Sequence, residues 1–301
     1  MNIYQFFVSC CFEINVMINS CLVLEGGGLR GAFTGGILEY LLEREIIFER
    51  VIGVSAGACL GASYVSKQKG RNRRVNVELP SDQRYMGIRH LITTGSYFNM
   101  KFIFEEIPDR LVPFDEKTYF ANPTEFEIVI TSLNTGKPVF LSKKEQLDIG
   151  VGKSLVASSS IPLISQPVEI QGEQFLDGGV ADPIPIRYAL SKYQKAVVVL
   201  TRPRGYRKEE NGNYALFKFA LRKYPKFLEA LLNRNVEYNK TLDFCDRMEQ
   251  EGRLFVLAPL QEFMIGRTEK NFDKRLGLYS HGYSTISQEI ESFKQFLNII
   301  N

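Results

Sequence analysis

The chain has 301 residues, of which 45% are hydrophobic and 24% charged, and a formal net charge of +3. That is enough apolar sequence for one large domain with an appendage, and too small a basic excess for a nucleic-acid-binding protein, whose affinity rests on clustered positive charge. Five cysteines (Cys10, Cys11, Cys21, Cys59, Cys245) form no CxxC pair and no zinc spacing, which excludes a disulfide framework and predicts reduced thiols in a cytosolic protein with no metal site.

Residues 1–16 are apolar and aromatic, but no Lys or Arg occurs before Arg30, and Glu13 and Asn15 break the apolar run. A secretory signal needs a basic start, and a membrane span needs greater length. The segment is expected to be an extension, or a mis-assigned start, outside the fold core. No later apolar run reaches membrane-spanning length, so a soluble, cytoplasmic protein is expected.

CLVLE (21–25) reads as a buried strand. After a run of glycines, AFTGGILEYLLERE (32–45) has helical spacing, with Ile37, Leu38, Leu41 and Leu42 on one face. RVIGV (50–54) is the next strand, and SAGACLGASYVSKQ (55–68) has the small residues of a helix packed closely on a sheet. Strand, helix, strand, helix predicts parallel βαβ units with helices covering the sheet. Residues 70–124 are crowded with Tyr, Phe, Ile and Met without clean periodicity, as in a helical insertion packed on the core or a cap walling an apolar pocket.

EFEIVITSLN (125–134) and KPVFLSK (137–143) predict an antiparallel pair across the turn NTGKP. GVGKSLVASSSIP (150–162) predicts a short helix. QPVEIQGEQFLDGGVADPIP (166–185) reads as strand, turn, strand and glycine loop, followed by IRYALSKY (186–193) and the strand AVVVL (196–200). Beyond Arg202 the pattern is mostly helical, with a single strand LFVLAP (254–259), and the change near residue 204 marks the expected boundary. Two basic runs, KQKGRNRR (67–74) and RPRGYRK (202–208), read as solvated loops or as attraction to anionic lipid head groups.

The motif that carries chemistry is GVSAG, with Gly53 and Gly57 flanking Ser55 between a strand and a small-residue helix. A serine hydroxyl needs exposure, a base and oxyanion donors, and a G-x-S-x-G turn supplies the first by projecting it from a tight bend. The chain has only two histidines, His90 in the irregular segment and His281 near the end. Neither follows a strand as a triad histidine would, so they read as a surface or cap residue and a helix-end residue. Cys59, close to the serine, reads as a buried packing residue.

Asp177 in FLDGG follows an apolar strand and opens a glycine loop at Gly178 and Gly179. It is either a helix cap or a carboxylate whose partial burial raises its pKa enough to serve as a base. GGGLRG, from Gly26 to Gly31, follows a strand and precedes a helix, where exposed N–H groups hold a phosphate or an oxyanion. It imitates a dinucleotide-binding G-x-G-x-x-G loop, but the acidic residue that would hold ribose at the end of the next strand is replaced by the serine.

The ordered set EGGGLRG, GVSAG and DGG resembles the patatin-like phospholipase family, from about residue 21 to about residue 193. The segments IGRTEKN (265–271) and LGLYSHGY (276–283) resemble the extension of a bacterial patatin-like subgroup. The resemblance implies an α/β fold: a three-layer α/β/α hydrolase with a mostly parallel central sheet and a largely helical C-terminal extension. Its units would be a catalytic domain at 20–193, with 70–124 as insertion or cap, and a helical region at 204–301 packed on the core. By motif, Ser55 would be the nucleophile and Asp177 the proton acceptor. Gly26, Gly27, Gly28 and Arg30 would fall in the oxyanion loop, with Gly27 and Gly28 as donors. Arg30 would order that loop, meet a phosphate, or form a surface salt bridge.

No cofactor or metal is implied. The implied activity is serine acyl hydrolysis of a phospholipid or other acyl ester, with transient contact at a membrane surface. A carboxylesterase, an acyltransferase on a smaller ester, and a non-catalytic acyl-chain-binding module are the alternatives.

Overall fold

The computed structural model describes residues 17–209 and 214–299. The expected extension at 1–16, with Cys10 and Cys11, lies outside the described residues. The apolar runs form eight strands: β1 (Met17–Leu24), β2 (Ile47–Val54), β3 (Glu125–Ser132), β4 (Pro138–Leu141), β5 (Val168–Ile170), β6 (Glu173–Asp177), β7 (Ala196–Val199) and β8 (Leu254–Leu257). They join one sheet in the order β5-β6-β3-β2-β1-β7-β8, with β4 paired to β3. The five strands from β3 to β8 along that order run parallel, and β4, β5 and β6 are antiparallel additions. All four residues of β7 are buried, as expected for a strand covered on both faces.

The strands divide their side chains between two cores. Leu22, Leu24, Ile128, Ile130, Val197 and Val199 face one side. There they meet α1 (Ala32–Glu43), α2 (Ala56–Val65), α3 (Val151–Ser159) and the long C-terminal helix, here called α6 (Phe272–Leu297). Val23, Ile52, Val54, Val129 and Val198 face the other side, against α4 (Ile186–Lys192) and α5 (Pro225–Gln250). The result is helices on both faces of a central sheet.

The chain extends the sheet from β1 first toward β2 and β3, then on the other side toward β7 and β8. In such sheets the strand ends on either side of the reversal open a crevice beyond their C-termini. Register then sets the level of the residues that matter. Val54 pairs with Val129, and Asp177 pairs with Ile130, so Ser55 and Asp177 approach from the two sides of β3 at the same height.

Two expectations need correction. The one-sided face read in residues 32–45 is buried on nearly all sides, because α6 lies against its outer surface. Gly36 and Gly282 permit this approach: a Cβ on Gly36 would overlap the Tyr279 carbonyl, and one on Gly282 the Phe33 carbonyl. His281 sits inside α6 rather than at a helix end; it stacks on Phe263 at 4.2 Å, and its Nε2 accepts the Leu260 N–H at 3.0 Å. His90 Nε2 lies 3.2 Å from the Gln83 carbonyl oxygen.

Residues 70–124 form short helical turns, including wide turns over Arg74–Glu78 and Phe102–Leu111, the second containing Pro108. Proline removes a helix donor, and such widened turns recur beside functional sites. Among the described residues no helix is long and apolar enough to cross a membrane.

Candidate active site

Ser55 stands between β2 and α2 as the cap of α2, with φ 55° and ψ −123°. A non-glycine residue pays strain in this left-handed region, a conformation held only when its surroundings dictate it. They do so here through close packing. A Cβ on Gly53 would come within 2.5 Å of the Ala58 Cα, and one on Gly57 would overlap the Leu24 carbonyl. Both flanking glycines are therefore needed for α2 to turn back against β1 and β2.

The Ser55 hydroxyl donates to Asp177 Oδ2 at 2.7 Å, and both residues are buried at the base of a cleft. Asp177 Oδ1 accepts the Gly179 N–H at 2.7 Å, which orients the carboxylate. Gly178 has no room for a side chain, since a Cβ would overlap the Val129 carbonyl. Burial pushes the Asp177 carboxyl above the usual carboxylate range, while the Ser55 hydrogen bond and the Arg234 charge pull it part of the way back. The carboxylate is thus at once a cap on the turn after β6 and the acceptor of the Ser55 hydroxyl's hydrogen bond.

Gly26, Gly27 and Gly28 line the cleft with Ser55 and Asp177. Gly28 has φ +57° and its missing Cβ would lie 2.7 Å from the Arg267 carbonyl oxygen, so glycine is required there twice over. The Leu29 N–H donates to that same carbonyl, and the Gly27 carbonyl accepts the Arg30 N–H. The N–H groups of Gly27 and Gly28 have no partner among the described residues and remain available to an oxyanion. Gly31 packs its bare Cα against Leu60.

Arg30 is not a surface salt bridge. It is 3% exposed, its Nε is buried without a partner, and burial followed by the Arg202 and Arg267 charges pushes it down to about 10. The basic run at 202–208 is likewise only half solvated. Arg204 pairs with Glu249 and Arg207 with Asp243 on the surface, whereas Arg202 and Lys208 turn inward. In the run at 67–74, Arg71 turns inward too, with Nη1 on Ser63 Oγ at 3.0 Å, while Arg73 and Arg74 pair with Glu78 outside.

Two cavities meet at Ser55. The first is apolar, walled by Phe98, Met100, Ile103 and Phe104 from the 70–124 segment and by Leu60 and Leu155 from α2 and α3. Cys59 lines it as well; burial pushes its thiol up to about 11, so it stays protonated at neutral pH. The second cavity holds Asp177, the glycine loop, Arg234 and Arg267. Among the described residues no group of three or more His, Cys, Asp or Glu side chains is placed to hold a metal ion.

Sequence reasoning missed the residues at the end of α3. Ser158 Oγ accepts the Ser55 N–H at 2.8 Å and donates to the Val129 carbonyl at 2.7 Å, while the Ser160 carbonyl accepts the Asp177 N–H at 2.8 Å. The triplet of serines in SSSIP was their only signal. Arg267 lies in IGRTEKN, the segment singled out for its resemblance but given no role, and Arg234 had no signal beyond lying in helical sequence.

A family model described as patatin-like phospholipase matches residues 22–190, and a second, described only as a domain of unknown function, matches residues 224–298. The uncharacterized protein YjjU of Escherichia coli is 25% identical over 191 residues, covering 60% of this chain and 50% of that protein. Lysophospholipase nte1 of Aspergillus oryzae is 24% identical over 294 residues, covering 91% of this chain and 18% of its own length. The chain thus spans half or less of the length of these curated relatives. The solved structure of VipD from Legionella pneumophila aligns over 91% of this chain and 67% of its own, with TM-score 0.47 and 13% identity.

Proposed function

We infer that this chain, which belongs to the patatin-like phospholipase family, is a serine hydrolase of lipid acyl esters that works through a Ser55–Asp177 dyad. The observation that carries this reading is the 2.7 Å hydrogen bond from the Ser55 hydroxyl to Asp177 Oδ2, beside two unpartnered glycine N–H groups.

In the proposed cycle Ser55 Oγ attacks the ester carbonyl carbon as its proton passes to Asp177. The Gly27 and Gly28 N–H groups receive the negative charge on the carbonyl oxygen. The tetrahedral intermediate collapses, the C–O bond to the alcohol breaks, and Asp177 returns the proton to the leaving oxygen. Water then attacks the acyl-serine, giving its proton to Asp177, and the second collapse restores the Ser55 hydroxyl and releases the fatty acid. A carboxylate is an effective base toward serine only when poorly solvated, which fits the burial of Asp177.

We assign the catalytic unit to residues 20–193, with 70–124 as the wall against the acyl chain, and a mostly helical region packed on the core to 204–301, from which Phe217, Leu231, Arg234 and Arg267 line the second cavity. A fluorophosphonate probe tests the reading. Labelling of the purified chain that is lost in Ser55→Ala, together with hydrolysis of a p-nitrophenyl ester lost in Ser55→Ala and Asp177→Asn, is expected. Labelling that persists in Ser55→Ala overturns it.

A further inference from the structure

The proposed hydrolysis gives no task to the main chain of IGRTEKN (265–271), although that main chain lies against the glycine loop. The Arg267 carbonyl accepts the Leu29 N–H at 2.9 Å and stands 2.7 Å from where a Gly28 Cβ would be. On its other side the loop rests on Thr201, just after β7. Thr201 Oγ1 would lie 2.7 Å from a Cβ on Gly27, and it donates to the Gly26 carbonyl at 3.3 Å. The loop is thus held between two supports. One follows a strand of the central sheet; the other comes from the region matched only by a domain of unknown function.

That second support is locked by one buried side chain. Arg275, in the first turn of α6, is fully buried. Its Nη1 donates to the Glu269 carbonyl at 2.9 Å, two residues from Arg267. Its Nε donates to the Val77 carbonyl at 2.9 Å and its Nη2 to Ser81 Oγ at 2.7 Å. The segment is also pinned at both ends, by Ile265 in the core and by Asn271, whose Oδ1 caps α6 on the Lys274 N–H at 3.0 Å. Among the described residues the partners of Arg275 are two carbonyls and a hydroxyl, with no acid paired to its charge. A hydrocarbon side chain of equal volume would fill this place at less cost in desolvation. What the guanidinium adds is geometry, because its planar donors fix three segments distant in sequence at set distances from one another.

We propose that Arg275 is a positioning residue for acyl transfer: by holding the 267–269 main chain, it keeps the Gly27 and Gly28 N–H groups aimed at the oxyanion. The proposal rests on the Ser55 hydrolase reading. It gives the region at 224–298 a task, which is to complete from outside a site whose chemistry lies in 20–193. Without the brace the Arg267 carbonyl moves, the Leu29 N–H loses its acceptor, and Gly28 at φ +57° is free to relax. Donors that act by preorganisation then lose their aim, and the loss falls on the rate rather than on binding. Val75 and Asn76, beside Val77, line the apolar cavity, so a long acyl chain senses both ends of the clamp and a short one senses only the loop.

The full chain carrying Arg275→Met, Arg275→Lys or Asn271→Ala is therefore assayed with p-nitrophenyl butyrate, with active sites counted by complete fluorophosphonate labelling. Arg275→Met is expected to lower kcat per labelled site on the order of 10- to 100-fold, with KM within about twofold. Affinity for a short-chain trifluoromethyl ketone, whose addition to Ser55 puts an oxyanion in the loop, should fall by the same factor. Arg275→Lys keeps the charge but only one nitrogen and should recover part of the loss. Asn271→Ala, at the exposed start of α6, should lose about threefold. A wild-type kcat per labelled site in Arg275→Met, or a change in KM alone, overturns the proposal even where the unfolding midpoint falls, since a merely structural role lowers the number of folded sites and not the rate of each. If Arg275→Met does not fold, Arg275→Lys and Asn271→Ala decide by the same two readouts, and wild-type values in both overturn it. A wild-type chain without Ser55-dependent turnover overturns the hydrolase reading and this proposal together, whereas normal turnover untouched by the variants overturns this proposal alone.

Discussion

On one side of Ser55 the wall is hydrocarbon, supplied by Phe98, Ile103, Phe104 and Leu155; on the other it is charge, supplied by Arg234 and Arg267 with Arg30 behind. Most of the first wall comes from an insertion between β2 and β3, with Leu155 added from α3. Arg234 and Arg267 of the second come from the region beyond β7, with Arg30 added from the loop after β1. The apolar wall recognises a ligand through area removed from water, which is graded and tolerant of shape. The cationic wall recognises through desolvated donors, which is steep and specific to charge. In the proposed reading a lipid ester presents both chemistries, with its scissile bond where they meet. Selectivity for chain and selectivity for head group should then be separable by mutation.

The largest effects belong to what both sides share. Ser55→Ala is expected to lower kcat by on the order of 10⁴-fold or more for every ester tested, whatever its chain or charge. Asp177→Asn should do the same for turnover and raise stability at neutral pH. An acid whose pKa is higher in the folded than in the unfolded chain holds extra protons when folded. Stability therefore falls as pH rises from the ordinary carboxylate pKa of about 3.9 through the raised value. Removing that group should make Asp177→Asn the more stable protein at neutral pH and leave the two alike in acid. Urea denaturation across pH checks the sign; a variant weaker than wild type at pH 7 refutes it. In the wild-type chain kcat/KM should decline as pH falls through the same raised pKa.

Next comes the glycine loop, which also serves both sides. Gly28→Ala brings a Cβ toward the Arg267 carbonyl at a φ that L residues avoid, so it should displace an N–H group of the proposed oxyanion loop. A loss in kcat on the order of 10²–10³-fold is expected, equal for charged and uncharged esters. An unequal loss would mean that the loop takes part in head-group selection.

Below these lies the test that separates the walls. Leu155→Ala opens the apolar cavity and should reduce the preference for long over short acyl chains by about tenfold. The ratio of turnover between charged and uncharged esters should hold. Arg267→Gln should show the converse, changing the charge ratio and leaving the chain-length ratio. Competition assays with four esters, long and short, charged and uncharged, read both ratios at once. If either variant shifts both, the two cavities act as one.

The contrast between the walls also explains what could be read from the chain alone. Ser55, Asp177 and the glycine loop were legible because each needs a local backbone feature, and glycine at Gly57, Gly178 and Gly28 writes that need into adjacent letters. The alternating apolar runs gave the sheet for the same reason, through a periodicity carried within one strand. The cationic wall is only partly written locally: Arg30 lies in GGGLRG and Arg267 in IGRTEKN, but nothing in either motif says that they meet. Arg30, Lys208, Arg234 and Arg267 stand on different segments and meet only when the chain beyond β7 returns to the cleft. Arg202 and Lys208 are indistinguishable in sequence from Arg204 and Arg207, which pair with acids outside. Burial from a distant segment likewise hid the second buried face of α1, because the helix that covers it begins at Phe272.

The smallest expected effect probes the tether that keeps Ser55 common to both walls. Ser158 Oγ accepts from the Ser55 N–H and donates to the Val129 carbonyl, tying a strained residue to the middle strand of the three that carry the dyad. Ser158→Ala leaves a buried donor and a buried acceptor unpaired but touches neither cavity wall. One neutral hydrogen bond is worth about 1 kcal/mol, or about fivefold in rate if it acts mainly on the attacking geometry. Because the tether sits behind the nucleophile, the loss should fall on kcat with little change in KM, and by the same factor for all four esters. A merely structural role would lower the unfolding midpoint and leave kcat per folded molecule unchanged. A drop confined to long chains or to charged head groups would instead show that α3 positions one wall rather than the serine between them.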